Sequence, residues 1–166
     1  SKGLLESEFR QRHIKWITNS KVASITADTV TVEEVDSEGV AIKTHKVATK
    51  HTMMLPAFKG VDAVAKLADV DAGYVNPRGF VMINDYQQSP VKDNIFSLGV
   101  NIAIPPVEPT PVMCGTPKTG YMIESMVTAT VHNIEEMIAG NAPSNIPTWN
   151  AVCIADMGDI GAAFVA

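Results

Sequence analysis

The apolar and polar positions of this chain follow two periods. In KVASITADTVTVEEV, residues 21–35, Val22, Ser24 and Thr26 alternate with Ala23, Ile25 and Ala27, and Val30, Val32 and Val35 follow. Period-two alternation with many β-branched residues predicts strands. VDSEGV supplies a turn at Gly39, and VAIKTHKV, 40–47, supplies the returning partner, so the N-terminal third reads as an antiparallel β-meander. Before it, apolar Leu4, Leu5 and Phe9 against charged neighbours predict the end of an amphipathic helix over 4–11. IKWI, 14–17, and TMMLP, 52–56, each read as a short strand, the second stopped by Pro56.

The second half changes period. Residues 61–68 predict a short helix, 76–79 a turn, 80–84 a strand, QQSPVKDN a polar loop and 95–100 a buried-type strand ending in glycine. A proline-dense loop leads to the longest predicted helix, 118–139. Its apolar face is Ile123, Met126, Val127, Thr130, Ile134, Met137 and Ile138, and Gly140 and Pro143 stop it. Residues 149–156 read as a last strand, with Asp156 and Asp159 flanking a turn. The composition shifts near Lys50–Gly60, which marks a boundary between two lobes. Both ends, one inside a helix and one on the apolar run GAAFVA, read as cuts through a larger protein.

Composition narrows the classes. Of 166 residues, 46% are hydrophobic and 19% charged, enough apolar content for a core. A net charge of −5 without a Lys/Arg cluster disfavours nucleic acid as a partner. No apolar run reaches the ~18 residues of a membrane span. The four histidines and two cysteines have no metal-ligand spacing, so no metal is expected.

Three places carry candidate chemistry. In CGTPKTGYMIESMV the bare amides of a helix start suit an anion or an electron-rich ring edge, and Gly120 leaves room for one; an ordinary N-terminus with Thr116 as cap and Pro117 in first position is the plainer reading. A buried strand ending at Gly99 lets backbone approach a ligand; a strand followed by a turn explains it equally. Cys153, between Val152 and Ile154, reads from its neighbours as a buried thiol, whereas Cys114, before a helix N-terminus, has the better electrostatics for a thiolate.

Taken together, NPRGFVMINDYQQSPVKDNIFSLGVNIAIPP resembles the second flavin-binding segment of reductases with two dinucleotide-binding domains. PVMCGTPKTGYMIESMVTATVHNI and TWNAVCIADMGDIGAAFVA resemble bacterial sulfide:quinone oxidoreductases, and flavocytochrome sulfide dehydrogenases more loosely. The resemblance implies an α/β parent that is α+β over this stretch, with a β-meander lobe and a long helix on FAD-domain strands, antiparallel pairing exceeding parallel. It divides the chain into 1–52, the remainder of the second, NAD-like domain; 53–140, the C-terminal part of the FAD domain; and 141–166, the start of a C-terminal region.

It also implies a reaction. FAD oxidises sulfide to sulfane sulfur or polysulfide and passes electrons to a membrane quinone. Cys153 matches the more C-terminal of two redox cysteines, reversing the ranking of the thiols, and Cys114 falls where relatives vary. Gly99 matches the end of the flavin-contacting strand; Val100, with Asn101 next, stands where an acidic ribityl ligand is usual. Pro117, Lys118, Thr119 and Gly120 match the segment facing the flavin pyrimidine edge. The family's GxGxxG loop for the FAD pyrophosphate has no counterpart here, so the chain alone is expected to be soluble, inactive and weak or empty in FAD. The parent is expected on a bacterial inner membrane as a peripheral protein, with a homo-oligomer as one possible assembly. A flavocytochrome-type dehydrogenase, an NADH:quinone reductase and a non-enzymatic, self-associating module are the alternatives.

Overall fold

A computed structural model describes residues 2–106, 108–116 and 118–165. Contacts divide the chain into two units, Ser1–Ala57 with Pro106–Thr116, and Phe58–Pro105 with Pro117–Ala166.

The first unit opens with α1, Lys2–Gln11. Glu6 sits between Lys2 at 4.0 Å and Arg10 at 3.4 Å, ion pairs at helical spacing. Three strands follow as an antiparallel sheet in the order β1-β2-β3: β1, Ser20–Ile25; β2, Thr29–Val35; β3, Ala41–Ala48. This is the meander that the alternation predicts. Thr26 and Asp28 build the first turn, the Thr26 hydroxyl donating to the Asp28 carboxylate at 2.9 Å. Asp36 builds the second by accepting from the amides of Glu38 and Val40, both at 2.9 Å. Two predicted strands are absent. Residues 14–17 form a strap without a ladder between two left-handed residues, His13 (φ 56°) and Asn19 (φ 46°). Residues 52–56 are irregular, with Met53 and Leu55 exposed, because no neighbouring strand pairs with them.

The second unit is built on turns and one long helix. A short α2, Asp62–Ala65, continues as a 3₁₀ turn over Lys66–Asp69. The strands expected at 80–84 and 95–100 shrink to isolated bridges: Val81 pairs antiparallel with Val75 and parallel with Ile102, and Gln88 pairs with Phe96. For 80–84 the cause is asparagine chemistry. The side-chain carbonyl of Asn76 accepts from the amides of Arg78 and Phe80, and that of Asn84 from Tyr86 and Gln88, so the backbone closes into turns instead of extending a ladder. The loop after Asn84 is polar as expected yet packed inside, with Gln87 fully buried in a left-handed conformation (φ 66°).

Helix α3 spans Gly120–Ile138, two residues shorter at its start than predicted. Its cap is Thr119, not Thr116, and Pro117 lies outside the described residues. The buried face also differs: Met122, Met126, Ala129, Thr130 and Asn133 face inward, while Val127, Ile134 and Ile138 are exposed. Met122 and Met126 join Ile102 and Ala151 in the core, with Ile83, Leu98, Ile104 and Ile123 packed around them. A hairpin ends the unit: β4, Val152–Asp156, and β5, Gly161–Val165, antiparallel, joined by a turn in which the Asp156 carboxylate accepts from the Gly158 amide at 2.8 Å. Among the described residues every paired strand is thus antiparallel, and the one parallel contact is the Val81–Ile102 bridge.

Candidate functional site

The first intrahelical bond of α3 runs from the Ile123 amide to the Thr119 carbonyl at 3.0 Å. The amides of residues 120–122 therefore precede the helical ladder and carry the positive end of its dipole. Gly120 is exposed, and a Cβ built on it would meet nothing within 4 Å. Its φ is not in the left-handed region either, so neither backbone nor neighbours within the chain call for glycine. The Thr119 hydroxyl is buried yet pairs with no described group, and it does not cap the helix.

Lys118 joins this helix start to the second predicted element. Its ammonium donates to the carbonyls of Val100, at 3.0 Å, and Ile102. Those carbonyls belong to a 3₁₀ turn over Gly99–Asn101 and the residue after it. Gly99 adopts φ +83°, a conformation that requires glycine or costs strain, and its amide donates to the Met126 sulfur at 3.3 Å. The expected strand end is a tight turn held on α3, and Gly99, Val100, Asn101, Lys118, Thr119 and Gly120 come together through the Lys118 bonds.

Arg78, in the turn predicted at 76–79, and Phe80, at the start of the predicted strand, complete the cluster. The Lys118 ammonium lies 4.2 Å from the Phe80 ring centroid, and the Arg78 guanidinium 5.8 Å from it. Partial burial, and then the charge of Arg78, hold the Lys118 ammonium below the ordinary lysine value. The spacing Arg-Gly-Phe was the only trace of this in the sequence.

The thiols lie elsewhere. Cys153 is on β4, paired across the hairpin with Phe164, and it is exposed, not buried among its apolar neighbours. The reason is that β4 has one partner strand and leaves both its faces largely uncovered. Cys114 is also an exposed free thiol, donating to the Val112 carbonyl at 3.6 Å.

Throughout its length the chain is similar to one part of a sulfide:quinone oxidoreductase, by fold as well as by sequence. The solved structure of the sulfide:quinone oxidoreductase from the hyperthermophilic bacterium Aquifex aeolicus superposes with a TM-score of 0.85 at 41% identity, over 99% of this chain and 37% of that one. The sulfide-quinone reductase of the same organism is 42% identical over all 166 residues. The chain spans 37% of that relative's length. No family model matches the chain.

Proposed function

We propose that this chain forms part of a flavoprotein that oxidises sulfide and passes the electrons through FAD to a membrane quinone. What supports the reading is the 42% identity to a sulfide-quinone reductase along the entire chain, with no stretch left unmatched. In that assignment residues 1–52 are the remainder of an NAD-like domain, 53–140 part of the FAD domain and 141–166 the start of a C-terminal region. The whole protein is peripheral to the membrane. Among the described residues no helix is long and apolar enough to cross a membrane.

The residues present fit one edge of a flavin. Gly120 is open where nothing in the chain demands glycine, and the buried Thr119 hydroxyl beside it lacks a partner. FAD, when bound, supplies a two-electron acceptor whose reduced ring is anionic. The amides of 120–122 offer that edge a partial positive charge fixed in place. Lys118 adds a full charge and is held by two carbonyls, so it costs little reorganisation. In this assignment Gly99 ends the flavin-contacting strand, and Val100 and Asn101 stand at the ribityl contact. Cys153, exposed on its hairpin, is the thiol that takes up sulfur. Replacing Cys153 by serine in the whole protein should lower sulfide-dependent quinone reduction by at least about 100-fold while the flavin content stays unchanged. Full activity in that variant would overturn the role of Cys153.

A further inference from the structure

The first unit holds a groove that the flavin assignment does not use. It lies between the end of α1, the strap 13–17 and β3, with a cavity volume of about 1050 Å³. Its lining is chemically one-sided. Arg10, His13, Lys15, His45 and Lys46 line it, and no carboxylate does. In a chain with net charge −5, that concentration of basic side chains is local and not a reflection of composition. Two of the five are already engaged: Arg10 with Glu6 at 3.4 Å and His45 with Glu34 at 2.8 Å. Lys15, Lys46 and His13 have no ion pair among the described residues.

The groove also has an aromatic wall. Trp16 packs against Phe9, ring centroids 5.7 Å apart and tilted at 53°, and the Arg10 guanidinium sits 5.7 Å from the indole. These contacts fix the indole while leaving the residue 37% exposed in the lining. The strap that carries Lys15 and Trp16 is bounded by left-handed His13 and Asn19, non-glycine residues that hold this conformation at a cost. Such strain is tolerated where the placement of side chains matters.

We propose that this groove binds a small polyanion carrying a planar ring, the chemistry of a nucleotide. Lys15, Lys46 and His13 would meet the anionic groups, and Trp16 would meet the ring. The groove is large enough for a ligand of that size.

The test uses the 166-residue chain with Trp149→Phe, so that Trp16 is the only tryptophan. Adenosine diphosphate, adenosine and inorganic pyrophosphate are titrated separately, with tryptophan emission and calorimetric heat as readouts. The expected result is saturable binding of adenosine diphosphate that alters Trp16 emission, with adenosine and pyrophosphate each at least about tenfold weaker. Lys15→Gln with Lys46→Gln should weaken binding by at least about tenfold, and Lys15→Arg with Lys46→Arg should retain it, with circular dichroism unchanged in both. No saturable binding at millimolar adenosine diphosphate would overturn the proposal. So would unaltered affinity in the glutamine variant, or pyrophosphate binding as tightly as the nucleotide.

Discussion

Lys118 shows how a single side chain can be both anchor and charge. Its ammonium satisfies two carbonyls of the Gly99 turn and approaches an aromatic face, while burial and Arg78 work against its proton. The consequence for stability has a definite sign. As pH rises toward the ordinary lysine value, about 10.4, the folded chain releases this proton before the unfolded chain does. The unfolded state then binds more protons, so stability rises with pH across that alkaline window. In Lys118→Met this contribution disappears. Urea midpoints measured against pH should climb less steeply in the variant than in the parent between neutral and alkaline pH. An identical climb would mean that Lys118 is not the source. None of this was visible from Pro-Lys-Thr-Gly alone, because the carbonyl partners lie 16 and 18 residues upstream.

At the level of elements, α3 is governed by a residue that pattern reading passed over. Asn133 is fully buried, and its amide group is satisfied on both sides. It donates to the carbonyls of Tyr86, at 3.2 Å, and Asn145, at 2.8 Å, and accepts from the amides of Ser144 and Asn145 at 3.0 and 2.8 Å. Asn133→Ala strands four backbone groups and should cost about 2–4 kcal/mol in urea unfolding, with Asn133→Asp intermediate because it keeps the acceptor and loses the donor. A cost below 0.5 kcal/mol, the scale of surface substitutions, would contradict the clamp. The same residue explains why helix orientation was misread. The helix carries one apolar stripe through Met122 and Met126 that ends in buried Thr130 and Asn133, and another through Val127, Val131, Ile134 and Ile138. The apolar period mixes the two stripes: the predicted face shares Met126 and Thr130 with the buried one and Val127, Ile134 and Ile138 with the exposed one, because the polar Asn133 that the loops cover gives no apolar signal. The meander was legible because its alternation and its Asp-centred turns agree. The strand at 80–84 was not, because Asn76 and Asn84 redirect the backbone through side-chain bonds that a hydrophobic pattern does not register, and in 95–100 the backbone bonds of Ile95 and Ser97 run to the loop residues Ser89 and Gln87.

For the molecule as a whole, surface is the informative quantity. The chain exposes 11575 Å², whereas a globular monomer of 17.8 kDa exposes about 8000 Å², and two independent units of the same total mass about 9600 Å². The excess includes the second stripe of α3 and the hairpin, where Ile154 and Val165 are 77% and 79% exposed. Surface of this kind is what a chain spanning 37% of its relative's length leaves uncovered. The same partial span decides cofactor retention. The 166 residues contain no GxGxxG to hold a pyrophosphate, so on the proposed reading they would offer FAD one edge only, which does not suffice for tight binding. The chain purified alone should show no flavin absorbance in the visible spectrum, and stoichiometric flavin would refute this. The Asn133 clamp, finally, orders events in time. It closes a loop of 12 residues to Asn145 and one of 47 to Tyr86. Chain entropy makes the longer closure costlier by about 1.2 kcal/mol. Chain entropy therefore favours closing the contact with the segment after α3 ahead of the contact with the loop at Tyr86.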